Sequence, residues 1–232
     1  MTKPSIITID GPAASGKSTI GQMLADAIGY LYLDTGSMYR ATTLAALKAN
    51  INITNAEEIT LLAQKIELEI KPGDRGQDGR QYTVLLNGHD VTWDLRKPAV
   101  DAHVSLVSSY SGVRREMVRR QRLFAEKGNV VMVGRDIGTV VMPDAPLKLY
   151  VTASAEERAR RRWVDRKAQG HESNYEAILA DVNRRDQFDS SREVSPLKAA
   201  DDAVIINSTG RSPEDILNEI LNLINNIPIS AP

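Results

Sequence analysis

Ser5 to Ser18 reads SIITIDGPAASGKS. Ser5 to Asp10 is a short apolar run, the pattern of a buried strand. Gly11 to Ser18, GPAASGKS, fits G-x-x-x-x-G-K-[ST], the Walker A pattern. From Lys17 to Ile28, the residues Ile20, Leu24 and Ile28 recur on one helical face. A strand, a small-residue loop and a helix is the context that gives this motif its meaning. A chance match in a chain of this length is about one in a hundred from average composition. Gly11 and Gly16 permit backbone angles and close approaches that a side chain would block. The free amides of the loop and of the helix start then face phosphate oxygens. The residues expected to hold a nucleoside triphosphate are therefore Gly11, Pro12, Ala13, Ala14, Ser15, Gly16, Lys17, Ser18 and Thr19. Lys17 brings positive charge to the β- and γ-phosphates. The Ser18 hydroxyl is placed to ligate Mg²⁺.

Outward from this loop, strands and helices alternate. Leu31 to Leu33 reads as a strand, and 38–49 and 56–65 read as helices. Three short strands come next in about 30 residues: 67–71, 81–86 and 89–92. The first two are separated by a polar, glycine-rich loop, Pro72 to Arg80, and the last two by Asn87-Gly88, a strong hairpin signal. Helices are expected over 98–109, with Pro98 in the first turn, and over 113–127. Val130 to Val133 (VVMV) and Leu147 to Val151 (LKLYV) read as buried parallel strands, and so does Ala203 to Asn207 (AVIIN). Ala155 to Lys167 is a strongly basic helix. Ser173 and Glu176 have capping-box spacing and open a helix to about Phe188. Ser212 and Pro213 open the last helix. The expected class is α/β: a parallel five-stranded sheet flanked by helices, carrying a small antiparallel three-stranded insert and a short lid. The core spans 1–66 and 93–232, with the lid at about 155–172 and the insert at 67–92.

Composition narrows the function. The chain has 232 residues, 42% hydrophobic and 25% charged, with net charge -1. Those values exclude disorder over most of the length. The near-zero charge argues against nonspecific nucleic-acid binding. The absence of cysteine removes disulfides, thiolate metal sites and a cysteine nucleophile. His89, His103 and His171 are too widely spaced to suggest a metal site. No apolar run reaches the roughly 20 residues of a membrane span, and the start lacks a signal-peptide pattern. The expectation is a cytoplasmic protein.

Arginine is over-used, at 19 against 10 lysines, with five between Arg114 and Arg122 and eight between Arg158 and Arg192. Such a cluster on a helix is usually a solvated face, but arginine is also the residue suited to bidentate phosphate recognition. A GTPase-type switch lacks its Asn-Lys-x-Asp guanine motif here. A regulatory ATPase and a small-molecule kinase both fit the loop, and the arginines favour the kinase.

Three further segments carry chemistry: Asp34 to Arg40 (DTGSMYR), Gly134 to Thr139 (GRDIGT) and Arg185 to Arg192 (RDQFDSSR). The first two come directly after expected parallel strands, where α/β proteins bind ligands. Together with the loop and the insert, these motifs resemble the bacterial-type cytidylate kinases, P-loop nucleoside monophosphate kinases, over nearly the whole chain. The resemblance implies that ATP donates its γ-phosphoryl group to CMP or dCMP, giving CDP or dCDP. It implies that Thr35, Tyr39, Arg40, Arg135 and Arg192 surround the acceptor phosphate. Ser105, Arg114 and Asp136 would read the cytosine, and Arg185 and Asp189 would hold the sugar. The chain departs from the family's pattern at Ser111-Gly112-Val113, where a proline is frequent, and Arg115 offers a second register for Arg114. The basic helix resembles the family's lid, with Arg158, Arg161 and Arg162 closing over the triphosphate. With Lys17, Arg135 and Asp136 they form the expected catalytic set. A monomer acting on small molecules is expected, with no nucleic-acid or membrane partner. A kinase of another small acceptor and a noncatalytic nucleotide sensor remain as alternatives.

Overall fold

The computed structural model describes residues 3–73, 78–168, 170 and 172–226. His171, the tail from 227 and part of the glycine-rich loop lie outside them. The chain begins β1 (Ile6–Asp10), α1 (Lys17–Ile28), β2 (Leu31–Asp34), α2 (Gly36–Lys48) and α3 (Ala56–Lys65). The strands β3 (Leu68–Pro72), β4 (Tyr82–Leu86) and β5 (His89–Asp90) come next, then α4 (Pro98–Val107) and α5 (Ser111–Ala125). The remainder is β6 (Val130–Val133), β7 (Leu147–Thr152), α6 (Ala155–Ala168), α7 (Tyr175–Ser190), β8 (Val204–Asn207) and α8 (Pro213–Asn226).

The larger sheet has five strands in the order β2-β6-β1-β7-β8. The pairings β1–β6, β1–β7 and β7–β8 are parallel. The smaller sheet, β3-β4-β5, is antiparallel. The expected fold class is therefore present. Two compact units divide the chain: Met1–Tyr30 with Gly128–Pro232, and Leu31–Lys127.

In the first unit the central strands are buried and mostly apolar. Ile7, Ile9 and all of Val130–Val133 are fully buried, as expected of parallel strands covered on both faces. Ile20 and Leu24 of α1 and Ile216, Ile220 and Ile224 of α8 are buried at helical spacing. Gly29, at φ 74°, ends α1 in the left-handed conformation that favours glycine. Ser212 caps α8: its Oγ accepts from Asp215 N and donates to the Asp215 carboxylate.

Two expectations need correction in this unit. The cap of α7 is Asn174, whose Oδ1 accepts from Ala177 N at 3.0 Å, rather than Ser173. Asparagine one position later caps the helix in the same manner, on the amide one residue further along. The strand β8 is only partly buried: Ile206 is enclosed but Ile205 is 55% exposed, because β8 is the sheet edge. An apolar run alone does not distinguish edge from centre.

The second unit packs its own core from Leu44, Ile66, Val84, Leu86, Val91, Leu95 and Val100. Asn55 caps α3 by accepting from Glu58 N. At the other end of α3, the Arg120 guanidinium donates to Ala63 O and Ile66 O, at 3.0 and 2.9 Å. It thereby takes up carbonyls the helix leaves unpaired. Two helices of this unit, α3 and α5, meet at Gly112. A Cβ there would lie 2.4 Å from Thr60 Cγ2. Thr60 is held by its own bond to Ala56 O at 2.7 Å. Gly112→Ala is predicted to destabilise the fold by about 1–3 kcal/mol through overpacking. Urea titration against the parent checks this, and an unchanged midpoint would contradict it.

Candidate functional site

The phosphate loop leaves the carboxyl end of β1 with three residues in positive φ: Gly11 (149°), Ala14 (60°) and Gly16 (88°). Gly11 is irreplaceable on space alone, since a Cβ would sit 2.0 Å from Val151 O of the adjacent strand. Lys17 Nζ donates to Pro12 O at 2.7 Å, so the lysine arches back over its own loop. No acidic residue occupies the first turn of α1. The helix end therefore keeps its partial positive charge for an anion. Ser15 is buried, and its carbonyl accepts from Ser208 Oγ at 2.9 Å.

The basic helix α6 reaches this loop. Arg158 is buried, and its Nη1 donates to Ala13 O at 3.3 Å and its Nε to Ala153 O at 3.0 Å. It forms a bidentate pair with Asp186 of α7, at 3.0 and 2.5 Å. Arg161 donates to Ser208 Oγ and Ser208 O, at 3.0 and 2.6 Å. Its Nη1 is 3.4 Å from where a Cβ on Gly16 would lie. Arg162 is turned to Asp181 of α7 at 2.8 Å. Of these three arginines of α6, Arg158 and Arg161 reach the loop and its Ser208 neighbour, while Arg158 and Arg162 each pair with an acid of α7.

The GRDIGT and RDQFDSSR motifs meet at Asp189. This carboxylate is only 1% exposed and is flanked by Arg135 Nε at 2.7 Å and Arg192 Nη2 at 2.5 Å. Two guanidiniums compensate the buried charge, which would be costly alone. The same Arg135 donates from Nη1 to Gly11 O at 3.1 Å. Asp136, also buried, precedes a five-residue π-helical turn, Ile137–Val141, that the sequence pattern did not disclose. Arg185 sits on α7 one turn before Asp189.

In the second unit, Asp34 anchors the start of α2. Its Oδ1 accepts from Gly36 N at 3.0 Å, and its carbonyl from Ser37 Oγ at 2.6 Å. Thr35 is the buried N-cap position of this helix. Arg40 pairs with Asp101 at 2.7 Å and donates to Leu95 O at 2.9 Å. Arg114 is buried, donates to Ser108 O at 3.0 Å and lies 5.5 Å above the Tyr39 ring. Arg115 is exposed, so Arg114 is the register the fold brings to Tyr39. Ser105 lies half-buried on α4, one turn after Asp101.

Several residues escaped the motif reading. Asp186 is inside RDQFDSSR, but nothing local pairs it with Arg158. Ser208 comes directly after β8, and position after a parallel strand was the available signal. Asp10 ends β1, and a carboxylate closing an apolar run was its signal. Its Oδ1 and Oδ2 accept from Ile137 N and Gly138 N, at 2.8 and 2.7 Å. Burial pushes its carboxyl from an ordinary 3.8 up to about 7 and outweighs those amide bonds, which favour the charged form.

Comparison with known proteins shows the family of the chain. The family model for cytidylate kinase matches residues 7–226. A cytidylate kinase of Bacillus velezensis is 46% identical over 97% of this chain and 98% of its own. One of Herpetosiphon aurantiacus is 48% identical over 97% of this chain and 96% of its own. Among solved structures, an uncharacterized protein from Eubacterium ventriosum shares the fold. It has a TM-score of 0.50 at 12% identity, covering 95% of this chain and 98% of that one.

The raised Asp10 value carries a prediction. Its folded pKa lies above the unfolded one, so the folded chain holds the extra proton between about pH 4 and about pH 7. Stability from this group therefore falls as pH rises through that window. The melting temperature of Asp10→Asn is predicted to climb relative to the parent's between about pH 5 and about pH 8. A difference that stays constant with pH would contradict this.

Proposed function

The chain belongs to the cytidylate kinase family, and we propose that the residues described above carry the reaction. It transfers the γ-phosphoryl group of ATP to CMP or dCMP, giving CDP or dCDP and ADP. One observation supports the residue assignment above the others. Within one unit, the phosphate loop is bonded to Arg135, and Arg135 continues through Asp189 to Arg192.

Phosphoryl transfer asks a protein for alignment and charge neutralisation more than for covalent chemistry. Lys17 and the loop amides hold the β- and γ-phosphates. Arg158 and Arg161 sit where a triphosphate would replace the carbonyl and hydroxyl oxygens they now contact. With Arg162 they form a lid, about 155–172, that excludes water from the transfer. An acceptor phosphate oxygen is already anionic, so no general base is required. Thr35, Tyr39, Arg40, Arg135 and Arg192 are assigned to that phosphate. Asp189 and Arg185 are assigned to the sugar, with Asp189 accepting from its hydroxyls.

Cytosine presents an amine donor beside acceptor atoms. Asp136 and Ser105 can accept from the amine, and Arg114 can donate to the acceptors. Uracil has a carbonyl in place of the amine. Opposite Asp136 it would set acceptor against acceptor, at about 1–3 kcal/mol for each unpaired buried group.

The residues present fit Mg²⁺ as the companion of ATP. Ser18 offers one hard oxygen beside the loop, and no cluster of three metal-ligating side chains occurs among the described residues. That donor set suits a cation held mainly by phosphate oxygens and water. When bound, the ion would neutralise phosphate charge. We assign the activity to a monomer. Its partners are the small molecules CMP and dCMP, and its place is the cytoplasm, where those substrates occur.

Asp136→Asn is predicted to lower the kcat/KM ratio of CMP over UMP by about tenfold or more. An unchanged ratio would remove Asp136 from base recognition. Replacing Arg158, Arg161 and Arg162 together with Ala is predicted to cut kcat by about a hundredfold or more. Unchanged turnover would rule out the lid.

A further inference from the structure

We propose that Asp10 is a positioning residue for the acceptor nucleotide: its carboxylate fixes the Arg135–Gly138 segment in register with the phosphate loop. The proposal rests on the assignment of Asp136 to cytosine. The strand ladder between β1 and β6 runs through Ile9 and Val133, and its last rung is Gly134 N to Ile9 O at 3.0 Å. Beyond it the two backbones part. At that point the Asp10 side chain takes over, accepting from Ile137 N and Gly138 N with one oxygen each. Two backbone amides held by one planar group fix the orientation of both peptides after Asp136.

The other contacts of the segment lead to the same place. Gly138 is pressed against the sheet, where an added Cβ would meet Thr8 Oγ1 at 3.0 Å and Lys148 Cδ at 3.2 Å. The next residue of β1's continuation, Gly11, accepts from Arg135. Asp10 and Gly11 thus hold Arg135 and the turn after Asp136 from one dipeptide, and Gly11 is also the first residue of the phosphate loop. Asp10 is buried and gives both oxygens to backbone amides, so it acts through the residues it orients. An asparagine has one acceptor oxygen and would set its NH₂ against one of the two amides. The turn would then rotate, and the Asp136 carboxylate would lose its angle to the base.

The test is a double-mutant cycle of Asp10→Asn and Asp136→Asn, with kcat and KM measured for CMP, UMP and ATP at about pH 8. Asp10→Asn should lower the CMP-over-UMP ratio about tenfold, the size expected for losing one hydrogen bond to a charged group. The loss should come mainly from a raised KM for CMP, with the KM for ATP within about twofold. In the double variant the ratio should fall no further than in Asp136→Asn alone. A ratio that falls in Asp136→Asn but not in Asp10→Asn overturns the proposal and leaves the cytosine assignment standing. A raised KM for ATP with an unchanged ratio also overturns it, since Asp10 would then serve the loop. An unchanged ratio in Asp136→Asn overturns the cytosine assignment and the proposal with it. Should Asp10→Asn not fold, Gly138→Ala displaces the same turn without touching the carboxylate. It must lower the same ratio, and parent-like selectivity in a folded Gly138→Ala variant overturns the proposal.

Discussion

The close approach of Gly11 to Val151 O governs the rest of the structure. A Cβ at Gly11 would lie 2.0 Å from that carbonyl, so β1 can turn into the loop only through glycine. Because β1 pairs with both β6 and β7, the turn emerges in the middle of the strands of its unit rather than at an edge. The amides of the loop and the start of α1 then face the carboxyl ends of the parallel strands, where α/β sheets hold ligands. The same Gly11 offers its carbonyl to Arg135. One steric constraint therefore sets both the triphosphate cradle and the anchor of a charged row leading to Asp189 and Arg192.

The charged groups make a second layer of organisation. Arg158, Arg161, Arg135 and Arg192 are each met by carboxylates, carbonyls or hydroxyls of their own unit. Arg40 and Arg114 are met in the same way in the other unit. These pairs contribute little net stability, because desolvation offsets most of the attraction. They hold guanidiniums at fixed places instead. A reaction between two anionic nucleotides needs positive charge that is aligned before the substrates arrive.

Much of this was legible in the sequence because its determinants are local. The boundaries of α1, α3 and β6 come from periodicity and capping, and the phosphate loop from its spacing. DTGSMYR and GRDIGT could be placed because each lies just past the carboxyl end of an apolar strand. The features that could not be read depend on partners distant in the chain. Asp186 with Arg158, Ser208 with Ser15 and Asp10 with Ile137 are separated by tens of residues or more, and no periodic pattern links them. The exposure of β8 depends on its being the last strand in the sheet order, which an apolar run does not encode. The first two amides of the π-helical turn after Asp136 are taken up by Asp10, a partner far away in the chain.

The most direct measurement is a coupled assay of ADP release with ATP and Mg²⁺, run in parallel with CMP, dCMP, UMP, AMP and shikimate. Acceptors that share a phosphate but differ in base separate the reading of cytosine from the reading of charge. Fast turnover with CMP and dCMP, slow turnover with UMP and none with shikimate is the predicted result. Turnover with a different acceptor alone would contradict the account of the acceptor site, and ATP binding without transfer to any acceptor would contradict the assignment of the reaction.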